Sequence, residues 1–459
     1  MQDPLLIPEL REYITDNKTE TLKAFFEKTT PAVAAEYLAA FDPAEVWHVI
    51  RTLKPAIGAE IFTFLDQDVQ VEIAAAIKRQ EIARLLGEMS SDDRVDLLKR
   101  IPEERREAIM PAIAMAERED IRRLSAYREG SAGAVMTSDY ATLTSDLTVA
   151  QAIERLRKEA PDKETIYYAY VLDKERHLIG FLSLKDLILA HSNARIGNIM
   201  HRDVIHSQVD DDQEEAARKI QKYDLIALPV VNDAGALVGI ITHDDAIDII
   251  TQEHTEDMEK LMAIAGSHEA RVYLRTSSWI HFKNRAFWIV GLAALEIVSG
   301  FIIHSYENTL MSLMILALYM PMIADTGGNT GRQSATVVIR AMALGEIAPK
   351  DAARVLFKEL KIALLLSLVL GVLSWGKVMF LSHGTSIPAG FSLFNIGIAI
   401  SVALSIQVVT ATLVGAMLPL GAALMKWDPA VVASPALTTI VDITGLLIYF
   451  STAKLMLGI

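Results

Sequence analysis

A carboxylate in the middle of an apolar segment needs a physical reason, and Asp442 is such a group. It stands 13 residues after Pro429 and 11 before Ala453, inside the last apolar run of the chain. A charge at that depth of a bilayer costs about 2.5–3.5 kcal/mol on insertion scales, so it must face a polar interior. Thr438, Thr439, Thr444 and Gly445 beside it are small and leave room for water. Its position alone leaves two readings open: handling a cation that crosses the membrane, or locking a helix bundle. A second set of carboxylates crowds between residues 210 and 260: Asp210, Asp211, Asp212, Glu214, Glu215, Asp224, Asp244, Asp245, Asp248, Glu253, Glu256, Asp257 and Glu259. On a helix from Asp244, positions 245, 248 and 252 share one face, and 253, 256, 257 and 260 share another. Carboxylates so spaced repel unless solvent or cations separate them. A solvated helix face and a divalent-cation surface both satisfy the spacing. Oxygen donors without His or Cys suit hard cations such as Mg²⁺, without excluding Co²⁺ or Ni²⁺.

The elements that must hold these groups fall into unlike parts. The net charge of −14 and pI near 5.3 argue against a nucleic-acid partner, which would want a basic face. With no Cys there are no disulfides, thiolate metal sites or cysteine nucleophiles. Met1-Gln2-Asp3-Pro4 lacks a basic and then apolar region, so no cleaved signal is expected. Mean hydropathy of +0.28 alongside 22% charged residues averages a polar part with an apolar one. Five apolar runs predict membrane helices: Ala286–Tyr306, Leu310–Ala324, Leu356–Leu381, Ile396–Leu424 (interrupted by Pro419) and Ala430–Ala453. Lys and Arg gather before the first run (Arg271, Arg275, Lys283, Arg285), after the second (Arg332 to Lys361) and between the fourth and fifth (Lys426). The other two connections carry none. Basic loops mark the cytoplasmic side, which puts the N-terminus inside and the C-terminus outside a cell (inner) membrane. Trp279, Trp288, Trp375 and Trp427 lie near the ends of these runs, as interfacial aromatics do.

Ahead of the membrane part, residues 1–128 read as an all-α superhelical domain. Apolar residues recur at helical spacing, as in Val46-Trp47-Val49-Ile50-Leu53, between breaks mostly 11 to 13 residues apart at Asp42-Pro43, Pro55, Asp66, Ser90–Asp93 and Pro102-Glu103. Residues 129–250 repeat. Gly180-Phe-Leu-Ser-Leu-Lys-Asp186 matches Gly239-Ile-Ile-Thr-His-Asp-Asp245, and Tyr170-Val-Leu-Asp173 matches Pro229-Val-Val-Asn232, both at an offset of 59. Ala134-Val-Met-Thr137 answers Asn198-Ile-Met-His201 at an offset of 64, so one copy has a longer middle. Each unit predicts a helix, two apolar strands joined by a Gly turn, and a second helix. The expected boundaries are 129–198 and 199–250, then a connecting helix over 251–280 and the membrane domain over 281–459.

The repeats resemble CBS domains, α/β units that occur in pairs and sense small ligands. Around them, Ser131–Thr137, Glu253-His-Thr-Glu-Asp257, Pro321-Met-Ile-Ala-Asp-Thr-Gly-Gly-Asn-Thr-Gly-Arg-Gln-Ser-Ala-Thr336 and Thr438-Thr-Ile-Val-Asp442-Ile-Thr-Gly445 resemble the MgtE family of magnesium transporters. That resemblance covers nearly the whole chain in order. It implies a homodimer embedded in membrane lipids, with an N-terminal helical domain, two CBS domains, a connecting helix and a five-helix pore, and a Mg²⁺ pathway at Asp442. It also implies divalent binding at Asp92, Asp93, Asp212, Glu214, Asp224, Asp245, Asp248, Glu253, Glu256 and Asp257. High cytoplasmic Mg²⁺ would then bridge these carboxylates and close the pore, and low Mg²⁺ would let them repel and open it. CBS domains also often bind adenine nucleotides through a Ser/Thr-x-x-Asp stretch. Ser183–Asp186 and Thr242–Asp245 fit that pattern, with Tyr167 or Tyr168 to stack on a base and Lys185 beside them, so ATP is a candidate ligand. Two positions carry no role from the resemblance: Glu296, inside the first run, and Arg332, a positive charge where the family usually has a small or amide side chain. Gly327–Gly331 lacks the Gly-Lys-Ser/Thr ending of a phosphate loop. No nucleophile or His/acid constellation supports an enzyme. A CBS-regulated membrane signalling protein is the other alternative, and it would leave Asp442 unexplained.

Overall fold

The computed structural model describes residues 6–262, 264 and 276–459; Arg271, Arg275 and much of the expected connecting segment lie outside them. The chain divides into two compact units, one running through Glu253 and the other from His254 onward.

In the first unit the early sequence forms ten α-helices of 7 to 10 residues between Leu6 and Leu124. Pro31, Pro43 and Pro55 each stand in a first turn, where proline's missing N–H costs nothing. The short helices pack on their next-but-one neighbours. Pro31–Leu38 meets Pro55–Thr63, which meets Arg79–Glu88, which meets Glu103–Ile109; Pro43–Ile50, Gln67–Ala76, Ser91–Arg100 and Met115–Leu124 form the second row. This is the superhelical stack that the break spacing predicts. Leu22, Phe26, Leu38, Ile61, Phe62, Ile82 and Leu86 fill its core with almost no exposure.

The repeats form two three-stranded mixed sheets: β1 (Tyr140–Thr144), β2 (Thr165–Leu172) and β3 (Leu178–Ser183), then β4 (Ser207–Gln208), β5 (Ala227–Val231) and β6 (Leu237–Thr242). The first strand of each sheet is parallel to the second, and the second is antiparallel to the third. The offset of 59 survives as register: Val171 faces Gly180 and Val230 faces Gly239. The longer middle of the first copy is a 3₁₀ turn at Ala160–Asp162 followed by a longer second strand. The segment ahead of each repeat completes the other repeat's sheet. Thr137 bonds Ile240 in both directions, and His201 does the same with Phe181. A Cβ on Gly239 would sit 2.6 Å from Met136 Cγ, and one on Gly180 would sit 2.8 Å from the His201 carbonyl oxygen. Gly180 and Gly239, expected at the turns between strands, lie inside β3 and β6, where the missing side chain admits these crossing segments.

The second unit is helical. Four of its helices are long and apolar enough to cross a membrane: Ser278–Ser305, Pro349–Leu381, Leu393–Leu424 and Ala436–Leu457. The expected second span, Leu310–Ala324, is not one helix. A helix ends at Ser312, a 3₁₀ segment covers Met314–Tyr319, and a new helix of 24 residues runs from Met320 to Ala343 with Pro321 in its first turn. At about 36 Å it is long enough to cross, yet its sequence is too polar for an apolarity count to find. Gly327–Gly331 is helical within it. Pro419 stays inside the continuous helix Leu393–Leu424.

Small residues let these helices touch. A Cβ on Gly415 would run into the backbone of Gly331, whereas one on Gly376 would meet nothing within 4 Å. Gly415→Val should therefore destabilise the membrane unit by about 1–3 kcal/mol. Gly376→Ala should leave the melting temperature in detergent unchanged; equal melting of the two variants would contradict this packing.

Candidate functional site

The helix Ser91–Arg100 opens with Asp92 and Asp93 in its first turn, where carboxylates complement the helix dipole. Ser91 fixes that end. Its hydroxyl lies 2.9 Å from Thr137 Oγ1 and accepts the Ser138 N–H at 2.8 Å. Thr137 in turn is bonded to β6, which ends at Thr242, and the helix His243–Leu261 follows at once with Asp244 and Asp245 in its first turn. The chain is thus stitched so that Asp92, Asp93 and Asp245 act on one another. They are joined by Glu164, whose N–H bonds the Asp139 carbonyl at the start of β2.

Asp92, Asp93 and Asp245 are crowded and half-buried, with Glu164 exposed at their edge. Asp92 Oδ1 is buried with no hydrogen-bond partner. Burial first, then the charge of Asp245, holds the Asp92 carboxyl well above the usual range. Burial, then Asp245 and Asp93, pushes Glu164 up to about 7. Asp245 is pushed up to about 6 by burial; the Thr242 bond opposes the shift, and Asp244 and Asp93 add to it. The adjacent Arg94 is turned away: its guanidinium donates to the carbonyls of Leu86 at 2.6 Å and Met89 at 2.8 Å. A site of several oxygen donors that repel one another can accept a hard divalent cation.

The other expected ligands are placed differently. Asp212 caps its helix by accepting the Glu214 N–H at 2.8 Å, and Glu214 pairs with Arg218. Asp224 closes the same helix in a left-handed conformation, φ 51°. Glu253 accepts from Gln213 at 2.6 Å. Glu256 pairs with Lys260, which also reaches Asp428 at 2.8 Å. Asp248 lies near Asp244, burial and that charge raising its carboxyl. Asp257 keeps its place on the helix His243–Leu261. In the first repeat, Tyr168 meets Phe181 edge-on at 5.6 Å, and Asp186 accepts from Ser183 and lies 3.2 Å from His201 Nε2. Lys185 is exposed beside them. Asp245, the second candidate for a ribose, is engaged by Thr242.

In the membrane unit the helix Met320–Ala343 has two faces. Ile323, Gly327, Gly331, Ser334, Ala335 and Val338 are buried against neighbouring helices, while Asp325, Asn329, Arg332, Gln333, Thr336 and Arg340 are exposed. From Asp325 to Arg340 this polar stripe extends about 23 Å, too far to face lipid tails. Asp442 is half-buried on the neighbouring helix Pro429–Leu457. One turn of that helix is pinned by Gln407, fully buried, whose amide donates to the Val441 carbonyl at 2.9 Å. Gly327 and Gly445 flank the amide, and a Cβ at either would come within 3 Å of it. Buried Glu359 accepts from Ser334 at 2.8 Å.

This arrangement has relatives. The MgtE model, described as a divalent cation transporter, matches residues 320–452; the MgtE intracellular N domain matches 29–130, and CBS domains match 132–193 and 196–252. The magnesium transporter MgtE of Thermus thermophilus is 36% identical over all of this chain and 99% of its own length. The chain belongs to the MgtE family. The Bacillus subtilis magnesium transporter MgtE is 32% identical, over 85% of this chain and 83% of its own. The crystallised soluble part of a magnesium transporter is 31% identical with a TM-score of 0.52, covering 54% of this chain and 97% of that one. The cytosolic domain of the Mg²⁺ channel MgtE in complex with ATP is 33% identical with a TM-score of 0.50, covering 53% and 100%.

Within this MgtE-family chain, the sequence pointed to Asp92, Asp93, Asp245 and Asp442 and not to Glu164 or Gln407, which the structure places near them. Glu164 is positioned by the bond of its N–H to the Asp139 carbonyl at the start of β2, and no local pattern carries that. The raised carboxyls give a signed prediction. A folded-state pKa above its ordinary value favours the protonated packed form, and the preference is lost as pH rises through about 6 to 7. Protons therefore compete with cations. Lowering pH from about 7.5 to about 5.5 should weaken Mg²⁺-dependent protection of the full-length protein from proteolysis by at least about tenfold. Glu164→Gln should flatten that dependence, and a pH-independent midpoint would contradict it.

Proposed function

We propose that this chain is a Mg²⁺ channel of the inner membrane, acting as a homodimer, whose pathway runs along the polar stripe of Met320–Ala343 past Asp442. The observation that carries this reading is the stripe itself. Polar and charged residues exposed along a membrane helix need water beside them, and a second copy related by a two-fold axis would enclose it. Mg²⁺ suits a site that offers one carboxylate per chain among small polar residues, because the ion keeps most of its waters. The N-terminus faces the cytoplasm and the C-terminus the outside.

Gating follows from the crowded carboxylates. When cytoplasmic Mg²⁺ is high, ions join Asp92, Asp93 and Glu164 to Asp245 and hold the helix His243–Leu261 in place. At the far end of that helix, Lys260 contacts Asp428, which caps the helix bearing Asp442 by accepting the Ala430 N–H. A change at Asp245 thus has a continuous helix to travel along. When Mg²⁺ falls, repulsion loosens the sensor and the open form gains population, in proportion to how much more tightly the closed form binds the ions. Adenine nucleotide is the proposed ligand of the first repeat, stacked on Tyr168 with its ribose at Asp186 and Lys185 near its phosphates.

The test is Mg²⁺ uptake into proteoliposomes. Wild type should show robust influx, and Asp442→Asn and Asp442→Ala should each lower it by about tenfold or more. Folded, inserted variants with wild-type flux would make Asp442 a structural residue.

A further inference from the structure

Glu296 and Arg332 are charged and lie in membrane helices; Arg332 stands on the polar stripe, while Glu296 has no part in the pathway described so far. Glu296 sits at the junction of the helices Ser278–Leu295 and Ile297–Ser305. Further along, Tyr306 stacks on Phe450 at 4.8 Å between ring centroids, its hydroxyl 3.3 Å from Ser451 Oγ. Glu296 precedes Tyr306 by ten residues (306 − 296), and Asp442 precedes Ser451 by nine (451 − 442). At 1.5 Å per residue, both carboxylates stand about 14–15 Å back from that contact. The helices must run in the same direction. If they were antiparallel, the residues before Glu296 would lie beyond the chain's last residue, yet Ser278–Leu295 packs on Pro429–Leu457. The two carboxylates are therefore at one level.

Arg332 reaches that level from a third helix. A Cβ on Gly331 would lie 3.4 Å from Val441 and 3.5 Å from Leu437, so the helices cross one residue before Arg332 and one before Asp442. The guanidinium donates to Asn329 Oδ1 at 3.0 Å and stays on the exposed polar stripe. Glu296 and Arg332 thus stand at the level of Asp442 on two helices that pack against the one bearing it.

We propose that Arg332 and Glu296 are specificity-determining residues that set the charge at the Asp442 level: Arg332 is a built-in countercharge that weakens cation binding there, and Glu296 offsets it. A pathway must bind its ion well enough to admit it and weakly enough to release it. Two carboxylates per chain with no countercharge would hold a divalent cation too long. One carboxylate and one guanidinium would present no net charge and turn cations away. An arginine keeps its charge at any working pH, so the balance is permanent. This inference rests on reading Asp442 as the pathway carboxylate.

The experiment is the initial rate of Mg²⁺ uptake against Mg²⁺ concentration, with the full-length protein in proteoliposomes. Arg332→Gln should lower the half-saturating Mg²⁺ about fivefold, and Glu296→Gln should raise it by a similar factor. Combining the two should return the value to within about twofold of wild type, and Arg332→Lys should restore most of what Arg332→Gln changes. A merely structural role would reduce maximal rate and melting temperature together and leave half-saturation where it was. The inference is overturned if the single variants leave half-saturation unmoved, if both shift it the same way, or if the double variant fails to compensate. Asp442→Asn is run beside them. If it conducts like wild type, the pathway reading itself has failed. If it abolishes flux while the charge variants shift nothing, only the countercharge is wrong.

Discussion

Asp92 and Asp245 are forced together because each is tied to the same crossing segment. Ser91 is bonded to Thr137 and Ser138, and Thr137 is bonded to β6, from whose end the helix bearing Asp245 begins. Drawing Asp92 away would break the Ser91 hydroxyl's bonds to Thr137 and Ser138. The nearest arginine, Arg94, has its donors committed to the carbonyls of Leu86 and Met89. A proton or a cation can relieve the repulsion that remains, and the proposed gating rests on that.

The membrane unit faces the same problem of charge with a different answer. Its helices approach through glycine, Gly415 against Gly331 and Gln407 between Gly327 and Gly445. This close packing turns the larger polar side chains of Met320–Ala343 outward onto one stripe. Gln407 leaves its Oε1 buried without a partner so that its amide can hold the Val441 carbonyl next to Asp442. An unsatisfied acceptor of this kind costs about 1–3 kcal/mol, which marks the turn as one whose geometry matters.

Much of this was legible in the residues. The 59-residue offset reappears as strand register, with the matched glycines at equivalent positions inside β3 and β6 where the crossing segments pack. Four helices long and apolar enough to cross a membrane, among the described residues, followed from apolar length. The second span was misplaced because apolarity and helicity part company there. The apolar stretch is broken at Leu313, and the helix that follows packs through small residues together with a few apolar ones, Ile323, Val338 and Ile339. Periodicity also could not separate Asp212 and Glu214, which cap and pair within their own helix, from Asp245, which is held by Thr242 yet also lies near other carboxylates; all sit at helix starts. Glu164 was hidden because only the folded register of β1 and β2 brings it to the cluster.

The central claim is that divalent cations close the carboxylate interface between the helical stack and the second repeat. Hydrogen exchange of the full-length protein, with and without Mg²⁺, addresses it most directly. The account predicts that Mg²⁺ slows exchange in Ser91–Arg100 and in the first turns of His243–Leu261, and that Asp92→Asn combined with Asp245→Asn removes the effect. Equal exchange in both segments with and without Mg²⁺ would contradict it.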